Sequence, residues 1–229
     1  MRRTLEPEVM DTAQDAEEYD AMDFTEPDAR FADAAAATLG DASPGTLRAL
    51  DIGTGTAKIP VLLLARRPGL AVLAVDMADE MLRLAARNIE RAGLARACTV
   101  ARMDAKALDV GPASFDLVMS NSLAHHLPEP LDLFREIARV VRPGGAVVVR
   151  DLLRPETTDA AWAIVNRVGP DDSARQKQLF FDSLCAALTL DEVRDMVTAA
   201  GLHGATVTQV SDRHWSVERP RSPRSSDSP

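Results

Sequence analysis

Short apolar runs alternate with amphipathic segments along the middle of the chain. The runs have the length of buried strands, and the segments between them repeat apolar residues with the helical period. The predicted strands are 47–52, 71–75, 98–103, 115–120 and 146–150, and the predicted helices between them are 59–67, 79–92 and 130–141. Strands that alternate with such helices are typical of βαβ units around a parallel sheet. Right-handed crossovers then give a doubly wound α/β fold, with a ligand crevice at the carboxyl ends of the strands.

The flanking segments complete the predicted order of elements. An alanine-rich helix is expected at 27–39, ahead of the first strand. A turn at Pro143-Gly144-Gly145 is expected just before the fifth strand. Beyond that strand the pattern predicts a helical segment at 155–188, a helix at 190–200 that is capped by Thr189 with Glu192, and strands at 205–210 and 214–218. The last two strands are expected to form a hairpin.

The net charge of −9 is concentrated at one end of the chain. Residues 1–33 hold eleven acids and three arginines, a charge of −8, so the rest is close to neutral. Such a body offers no clustered basic surface for nucleic acid. We divide the chain into an acidic leader at 1–28, one domain at 29–218, and a Pro- and Ser-rich tail at 219–229 that is expected to be disordered.

The cysteines and apolar runs bear on the compartment. Cys98 and Cys185 have no CxxC partner, which predicts two free buried thiols in a reducing environment. No apolar run approaches the roughly 20 residues of a membrane helix, and no apolar stretch follows the first two arginines. We therefore expect a cytoplasmic protein with no membrane partner.

A glycine-containing loop carries the densest chemical signal. Asp51-Ile52-Gly53-Thr54-Gly55-Thr56-Ala57 follows the first predicted strand and precedes a helix. Glycines allow a sharp turn and a close approach to a ligand. A dinucleotide fingerprint needs a third glycine where this chain has Lys58, which disfavours a nicotinamide-dependent oxidoreductase. Asp51 stands where its carboxylate can accept hydrogen bonds from a cationic amine, directly or through water.

Polar residues also end the next three predicted strands. Asp76, followed by Met77, suits the two hydroxyls of a ribose. Asp104 can accept from an exocyclic amine such as adenine N6, while the backbone at Ala105 meets ring nitrogens. Asn121 ends the fourth strand on the same crevice. Any one of Asp51, Asp76 and Asp104 can instead cap the next helix or turn. Three acids at the ends of successive strands nevertheless favour a shared ligand.

With these motifs the chain resembles the class I S-adenosylmethionine-dependent methyltransferases, in particular their small-molecule, quinone-methylase-like members. The resemblance covers roughly residues 47–152, and more loosely extends to 218. The matching positions are Asp51, Gly53 and Gly55 in the first motif, Asp76 and Asp104 at the ribose and adenine, Phe115-Asp116-Leu117-Val118 in the fourth strand, and Arg142-Pro143-Gly144-Gly145 before the fifth. Thr56-Ala57 departs from the many members that have a third glycine here. The resemblance implies a seven-stranded, mostly parallel sheet with one antiparallel strand from the final hairpin, and S-adenosylmethionine as cofactor.

The candidate catalytic residues are His126 and His125, just after the fourth strand. The resemblance places the methyl group beside them, and histidine is suited to acid–base work near neutral pH. A base is needed only if the acceptor loses a proton, so the alternative is that this pair packs the loop. In similar enzymes the N-terminal segment is a lid, and Tyr19 would reach the amino-acid end of the cofactor; the alternative is packing on the sheet. No metal site is expected.

The acceptor follows only by elimination. Asn121-Ser122-Leu123-Ala124 differs from the Asn/Asp-Pro-Pro-Tyr of enzymes that methylate bases or glutamine amides, and two distant cysteines do not suit arsenite. A small-molecule acceptor remains, and Arg150-Asp151 after the fifth strand can hold an acidic one or form an ion pair. The alternative function is a non-catalytic S-adenosylmethionine-binding partner or sensor. An open, polar crevice favours the enzyme, and a crevice filled by bulky side chains favours the binder.

Overall fold

A seven-stranded sheet forms the centre of the computed structural model, which describes residues 1–6, 12–22, 24–41 and 47–222. The strands are β1 (Arg48–Ile52), β2 (Ala71–Asp76), β3 (Cys98–Arg102), β4 (Phe115–Asn121), β5 (Val141–Leu152), β6 (Thr206–Ser211) and β7 (His214–Arg219). Their spatial order is β3-β2-β1-β4-β5-β7-β6. Strands β1 to β5 are parallel, and β7 is antiparallel to both of its neighbours. The predicted fold class is confirmed.

Helices cover both faces of this sheet. They are α1 (Ala13–Ala21), α2 (Thr25–Thr38), α3 (Lys58–Arg66), α4 (Asp79–Arg91), α5 (Leu131–Val140), α6 (Thr158–Val168), α7 (Ala174–Ala186) and α8 (Leu190–Ala199), with a short 3-10 helix at Ala124–His126. Alternate residues of β4 face opposite ways: Leu117 packs with α2 to α4, and Val118 packs with α5 and α8. Because β4 is covered on both faces, six of its seven residues are buried, including the apolar run Leu117-Val118-Met119.

Strand β5 is longer than predicted. It begins at Val141, which pairs with Phe115, and the register then shifts between Phe115 and Leu117. Gly144 lies inside it with φ +71°. The predicted Pro-Gly-Gly turn is therefore an irregularity within the strand, because the main chain resumes pairing with β4 immediately after it.

The single helical segment predicted at 155–188 is wrong, because the structure has two helices there. α6 ends at Gly169, and Pro170 follows with no N–H to continue the helix. Ser173 then caps the start of α7. Its side-chain oxygen accepts from the main-chain amide of Gln176, and the side-chain oxygen of Gln176 accepts from the main-chain amide of Ser173. The same capping arrangement predicted at the start of α8, between Thr189 and Glu192, is confirmed.

The leader contains a helix that its composition did not predict. α1 docks on α4 through Ala16 and Tyr19, which pack against Met81 and Leu84. The expected boundary at residue 28 falls inside α2, and residues 7–11 and 23 lie outside the described part.

The other end of the described chain rests on the body. The amide of Arg221 donates to Thr38 O at 2.7 Å and that of Ser222 donates to Gly144 O at 2.8 Å, while residues 223–229 of the expected tail lie outside the description. Cys98 and Cys185 are both free, as expected, but Cys185 is only half-buried. Among the described helices, none has the length and apolar character that crossing a bilayer demands.

Candidate active site

A cleft opens at the carboxyl ends of β1 to β4, where the strand order changes direction between β1 and β4. This is the position at which open α/β sheets bind ligands. Its wall includes the sequence-predicted residues Tyr19, Gly53, Gly55, Asp76, Met77, Asp104, Ala105, Asn121 and His126. Asp51 and His125 are also close, but both are buried outside the wall.

The glycine loop turns sharply because Gly53 and Gly55 both have positive φ, +72° and +53°. The amides of Gly53 and Thr54 both donate to Val75 O at 2.9 Å, which ties the loop to β2. A Cβ on Gly53 would lie 2.8 Å from Leu123 Cδ2. The first glycine is therefore required by its backbone angle and by the neighbouring side chain, while the main chain forms the cleft floor.

Asp76 stands at the end of β2 with its carboxylate facing the loop. Its Oδ2 accepts from the Gly55 amide at 2.8 Å, and its Oδ1 accepts from the Ala78 amide at 3.0 Å. The bond from the Ala78 amide is a local turn contact, which is the alternative role that the sequence left open for Asp76. The first bond links β2 to the loop after β1 and sets the carboxylate in the cleft wall. The turn contact and the position in the cleft wall are therefore compatible at this residue.

Asp104 and Asn121 form the opposite part of the wall. Asp104 Oδ1 accepts from the Lys106 amide at 2.9 Å and lies 3.1 Å from Lys106 Nζ. Burial disfavours the charge of Asp104, but these Lys106 contacts outweigh it and keep the pKa of Asp104 below its usual value. Asn121 Nδ2 donates to Ser122 Oγ at 3.3 Å. The apolar side chains of Met81 and Met103 lie between the polar groups.

Two acids behind the cleft wall have raised pKa values. Asp51 is 2% exposed, and its burial raises its pKa to about 7, with the carboxylates of Asp76 and Asp28 adding to the effect. Asp28 is half-buried, and burial raises its pKa to about 6 against the opposing charge of Lys58. Sequence reasoning missed Asp28 because no motif surrounds it. Buried acids with raised pKa values are suited to a cationic group.

Tyr19 reaches the cleft from α1. A Cβ on Gly55 would lie 3.5 Å from its ring, and burial raises the pKa of its hydroxyl. The helix that carries Tyr19 is fixed through Asp20. Lys58 Nζ donates to Asp20 O at 2.5 Å, and the Asp20 carboxylate accepts from Asn88 Nδ2 at 3.0 Å and from an Arg87 guanidinium nitrogen at 3.2 Å. The leader thus contributes a fixed wall to the cleft.

The two histidines have different surroundings. His125 is 4% exposed, and its Nδ1 lies 2.5 Å from Oδ1 of Asp151, a residue of β5 that is 1% exposed. Burial lowers the pKa of His125, but the charge and hydrogen bond of Asp151 outweigh burial and raise it overall. His126 lies in the cleft wall. Arg150-Asp151, singled out for a possible acidic ligand, therefore supplies a buried partner for His125.

Two residues of the segment 1–6 contact the histidine loop. Glu6 Oε1 lies 3.1 Å from His126 Nδ1 and 3.3 Å from His125 Nε2. Arg3 donates to the main-chain oxygens of His125 and Leu127 at 3.1 and 2.8 Å. Sequence reasoning missed both, because 119 residues or more separate them from the histidine loop and no local pattern joins the segments.

The amino-acid sequence matches one family model and several curated proteins. Residues 50–149 match the family model described as "Methyltransferase domain". Among curated relatives, "Methyltransferase GfsG" from Streptomyces halstedii is 29% identical over 167 residues, which are 72% of this chain and 56% of that protein. The chain spans about half the length of the first curated relatives that it matches.

Solved structures share the fold. A SAM-dependent methyltransferase from Aquifex aeolicus has a TM-score of 0.65 and 17% identity, covering 91% of this chain and 98% of the other. The [4+2]-cyclase SpnF has a TM-score of 0.58 and 22% identity, covering 79% of this chain and 59% of the other. At these identities the likeness concerns the fold and leaves the reaction to be argued from the site.

Proposed function

We propose, from the premise that this chain carries a class I methyltransferase domain, that it binds S-adenosylmethionine in the cleft and methylates a small molecule. The observation that carries the proposal is the grouping of Asp76, Asp104 and Asn121 with the Gly53–Gly55 turn at the carboxyl ends of four adjacent strands. This grouping combines a polar wall with a close-approach backbone, as a nucleoside ligand requires.

The donor and acceptor groups present fit this cofactor. The two glycines leave space over the loop that a Cβ would fill, and Asp76 offers a carboxylate to the ribose hydroxyls. Asp104 and the Ala105 backbone lie where the adenine edge would be read, with Met77 beside them. Asp51 and Asp28 supply negative charge for the ammonium and sulfonium, and Tyr19 closes that end.

When bound, S-adenosylmethionine supplies an activated methyl group for an in-line displacement. The residues of this chain contribute by holding the reactants in line and by excluding water, which together account for roughly 7–11 kcal/mol of barrier in well-oriented systems. The buried core under the cleft and the fixed α1 wall favour such positioning. We assign the acceptor to the end of the cleft at Ser122 and His126.

His126 is our candidate for the base that removes the acceptor's proton, because it lines the cleft while His125 does not. A base at this position adds about 10²–10⁴-fold when the acceptor is a hydroxyl or a protonated amine. His125, which is buried against Asp151, then holds the histidine loop in place and does not contact the acceptor.

The polar acceptor end supports the enzyme over the non-catalytic binder, since Asn121, Ser122 and His126 line it. The curated relatives with the same domain are methyltransferases by name, and none supports a sensor role. Small-molecule acceptors fit the near-neutral body, and the free cysteines support a cytoplasmic location, which cell fractionation would test. The identity of the acceptor is open.

The deciding experiment has two arms. Calorimetry with S-adenosylhomocysteine tests the cofactor site, and incubation with methyl-labelled S-adenosylmethionine and a metabolite extract, read by mass spectrometry, tests transfer. Binding together with a labelled product supports the proposal. Binding together with a changed metabolite that carries no labelled methyl group would contradict methyl transfer and indicate another reaction on this fold. Absence of binding would refute the cofactor assignment.

A further inference from the structure

Residues 1–6 form an extended segment, here called the N-terminal strap, that packs against the histidine loop and α7. The Thr4 amide donates to Cys185 O at 3.0 Å. The Arg3 guanidinium donates to four main-chain oxygens, those of His125, Leu127, Pro128 and Ala186. One side chain thus ties the strap, the loop after β4 and the end of α7 together, and it fixes where Glu6 lies.

Glu6 points into the molecule with its side chain 10% exposed. Its Oε2 accepts from Ser183 Oγ at 3.0 Å. Its Oε1 is buried and lies 3.1 Å from His126 Nδ1, although the angles at both atoms are poorer than those of a good hydrogen bond. Ser183 therefore orients the carboxylate, and the second oxygen faces the histidine pair.

Two carboxylates, those of Glu6 and Asp151, lie against the histidine pair His125 and His126. Burial opposes ionisation of each, but contacts with the histidines keep the pKa of both below the usual value. The contacts with Asp151 raise the pKa of His125 despite its burial, which favours its charged form. The Arg3 guanidinium and the half-buried Cys185 thiol also lie near Glu6 or His125. The Glu6 carboxylate, 3.1 Å from His126 Nδ1, is the acid that faces this ring and favours a proton on that nitrogen.

A metal ion is a second way to balance such a cluster. The ligating atoms of Glu6, His125 and His126 lie within 4.8 Å of one another. The two imidazole rings are tilted by 35°, with centroids 4.1 Å apart. However, Nδ1 of His125 is already 2.5 Å from Asp151, and the raised pKa of His125 favours an imidazolium, whose Nε2 carries a proton and has no lone pair for a metal. These contacts favour a proton as the balancing charge.

We propose that Glu6 is a positioning residue, whose carboxylate holds a proton on His126 Nδ1 and so leaves the Nε2 lone pair for the cleft. A base whose tautomer is fixed by a carboxylate is ready to accept a proton at its other nitrogen. The strap thereby becomes part of the acceptor end of the site. This inference rests on the proposed function for the role of His126 and on the contacts above for the role of Glu6.

The test is the tautomer of His126, read from the ¹⁵N shifts of its two ring nitrogens at alkaline pH and assigned with the His126→Gln variant. We expect the Nδ1–H form in the wild type and its loss in Glu6→Gln, which keeps the size of the side chain. Glu90→Gln, an exposed acid on α4, is the control and should leave the tautomer unchanged. Wild-type His126 with its proton on Nε2 would overturn the inference even if Glu6→Gln failed to fold. Stoichiometric metal in the purified protein would overturn it too.

S-adenosylhomocysteine binding separates this inference from the proposed function. We expect Glu6→Gln to bind that probe within twofold of the wild type, because Glu6 lies outside the residues that fit the cofactor. No binding by the wild type would refute the proposed function and leave the tautomer result standing. Once a labelled product is in hand, Glu6→Gln should lower kcat at unchanged KM for S-adenosylmethionine, whereas an unchanged kcat would contradict the positioning role.

Discussion

Nδ1 of His125 lies 2.5 Å from Oδ1 of Asp151, and the other oxygen of Asp151 accepts from the main-chain amide of His125 at 3.1 Å. These contacts join the loop after β4 to the interior of β5. Both side chains are at most 5% exposed, so neither partner has water as a substitute. The position of the histidine loop over the cleft therefore depends on a pair of buried charges.

Replacing Asp151 by Asn should destabilise the protein strongly, because it removes the nearer of the two carboxylates of the buried His125, at 2.5 Å, and leaves only Glu6 at 3.3 Å. Removal of one partner of a buried pair costs about 3–5 kcal/mol. Chemical denaturation at pH 6 measures this. Asp132→Asn, at an exposed ion pair on α5, should stay within about 0.5 kcal/mol of the wild type. Equal effects of the two substitutions would contradict a structural role for the pair.

The same pair predicts how stability varies with pH. The pKa of Asp151 is lowered, so its contribution is present above its unfolded value of about 3.9 and is lost as pH falls through the folded value. The pKa of His125 is raised, so its contribution is present below about 6.5 and is lost as pH rises through the folded value. The full contribution thus lies between about pH 4 and 6.5, and Asp151→Asn should flatten the decline on the alkaline side.

Gly53→Ala and Gly93→Ala form a matched comparison, since both glycines have φ +72°. A Cβ on Gly93 meets nothing within 4 Å, whereas one on Gly53 meets Leu123 at 2.8 Å. The left-handed backbone alone costs about 1–2 kcal/mol, and overpacking adds about 1–3 kcal/mol. The unfolding free energy of Gly53→Ala should therefore fall further, and adding Leu123→Ala should recover part of the difference. No recovery would mean that the contact with Leu123 is not the cause.

Asp76→Ala should weaken S-adenosylhomocysteine binding by roughly 1.5–3 kcal/mol, or roughly 10- to 150-fold. The reason is the loss of a charged acceptor for the ribose hydroxyls and of the bond that holds the Gly55 amide. Calorimetry measures the affinity, and Asp79→Ala, three residues on and mostly exposed, is the control. An affinity equal to that of the control would remove Asp76 from the site.

Binding of S-adenosylhomocysteine near pH 7 should release a proton from Asp51. Its pKa of about 7 leaves the carboxyl partly protonated in the free protein, and a ligand ammonium favours the ionised form. Affinity should therefore rise with pH through about 7. Titrations in two buffers of different ionisation enthalpy measure the released proton, and Asp51→Asn should abolish it. Proton uptake, or release that persists in Asp51→Asn, would assign the effect elsewhere.

Tyr19→Ala should weaken S-adenosylhomocysteine binding about tenfold, because it removes an aromatic wall next to Gly55. Tyr19→Phe keeps the ring and should bind nearly as the wild type does. The comparison, again by calorimetry, separates the ring from the hydroxyl. If Tyr19→Ala binds with unchanged affinity, α1 packs on the body without contributing to the site.

The strands and most of the residues that line the cleft were predictable because their signals are local. Each strand end, such as Val75-Asp76, combines an apolar run with the polar residue that follows it, and parallel pairing brings such ends to one edge. The break between α6 and α7 was also visible as Gly169-Pro170, but the apolar spacing on either side masked it. The continuous helix prediction gave too little weight to the residue that cannot donate.

The surroundings of the histidine loop were not predictable in the same way. Glu6 meets the histidines only because Arg3 bonds to oxygens on the loop after β4 and on α7, and no sequence period relates these segments. Asp28, in the first turn of α2, lies close enough to Asp51 and Tyr19 for its charge to act on both, and no sequence motif relates these three residues. Such contacts depend on how helices and loops that are distant in sequence pack against one another. The pattern of apolar residues does not determine that packing.

The contacts of Arg3 also set an order of events during synthesis. The strap leaves the ribosome ahead of every other described segment, yet one of its anchors, Ala186 O, is 183 residues further along the chain. A domain generally folds as a unit, so this bond forms only after the chain through α7 is available. Arg3 therefore joins segments that are synthesised far apart, and the position of Glu6 beside the histidine loop depends on all of them. A chain cut before α7 would lack part of this attachment, although β1 to β4, the strands at whose ends the cleft opens, would be present.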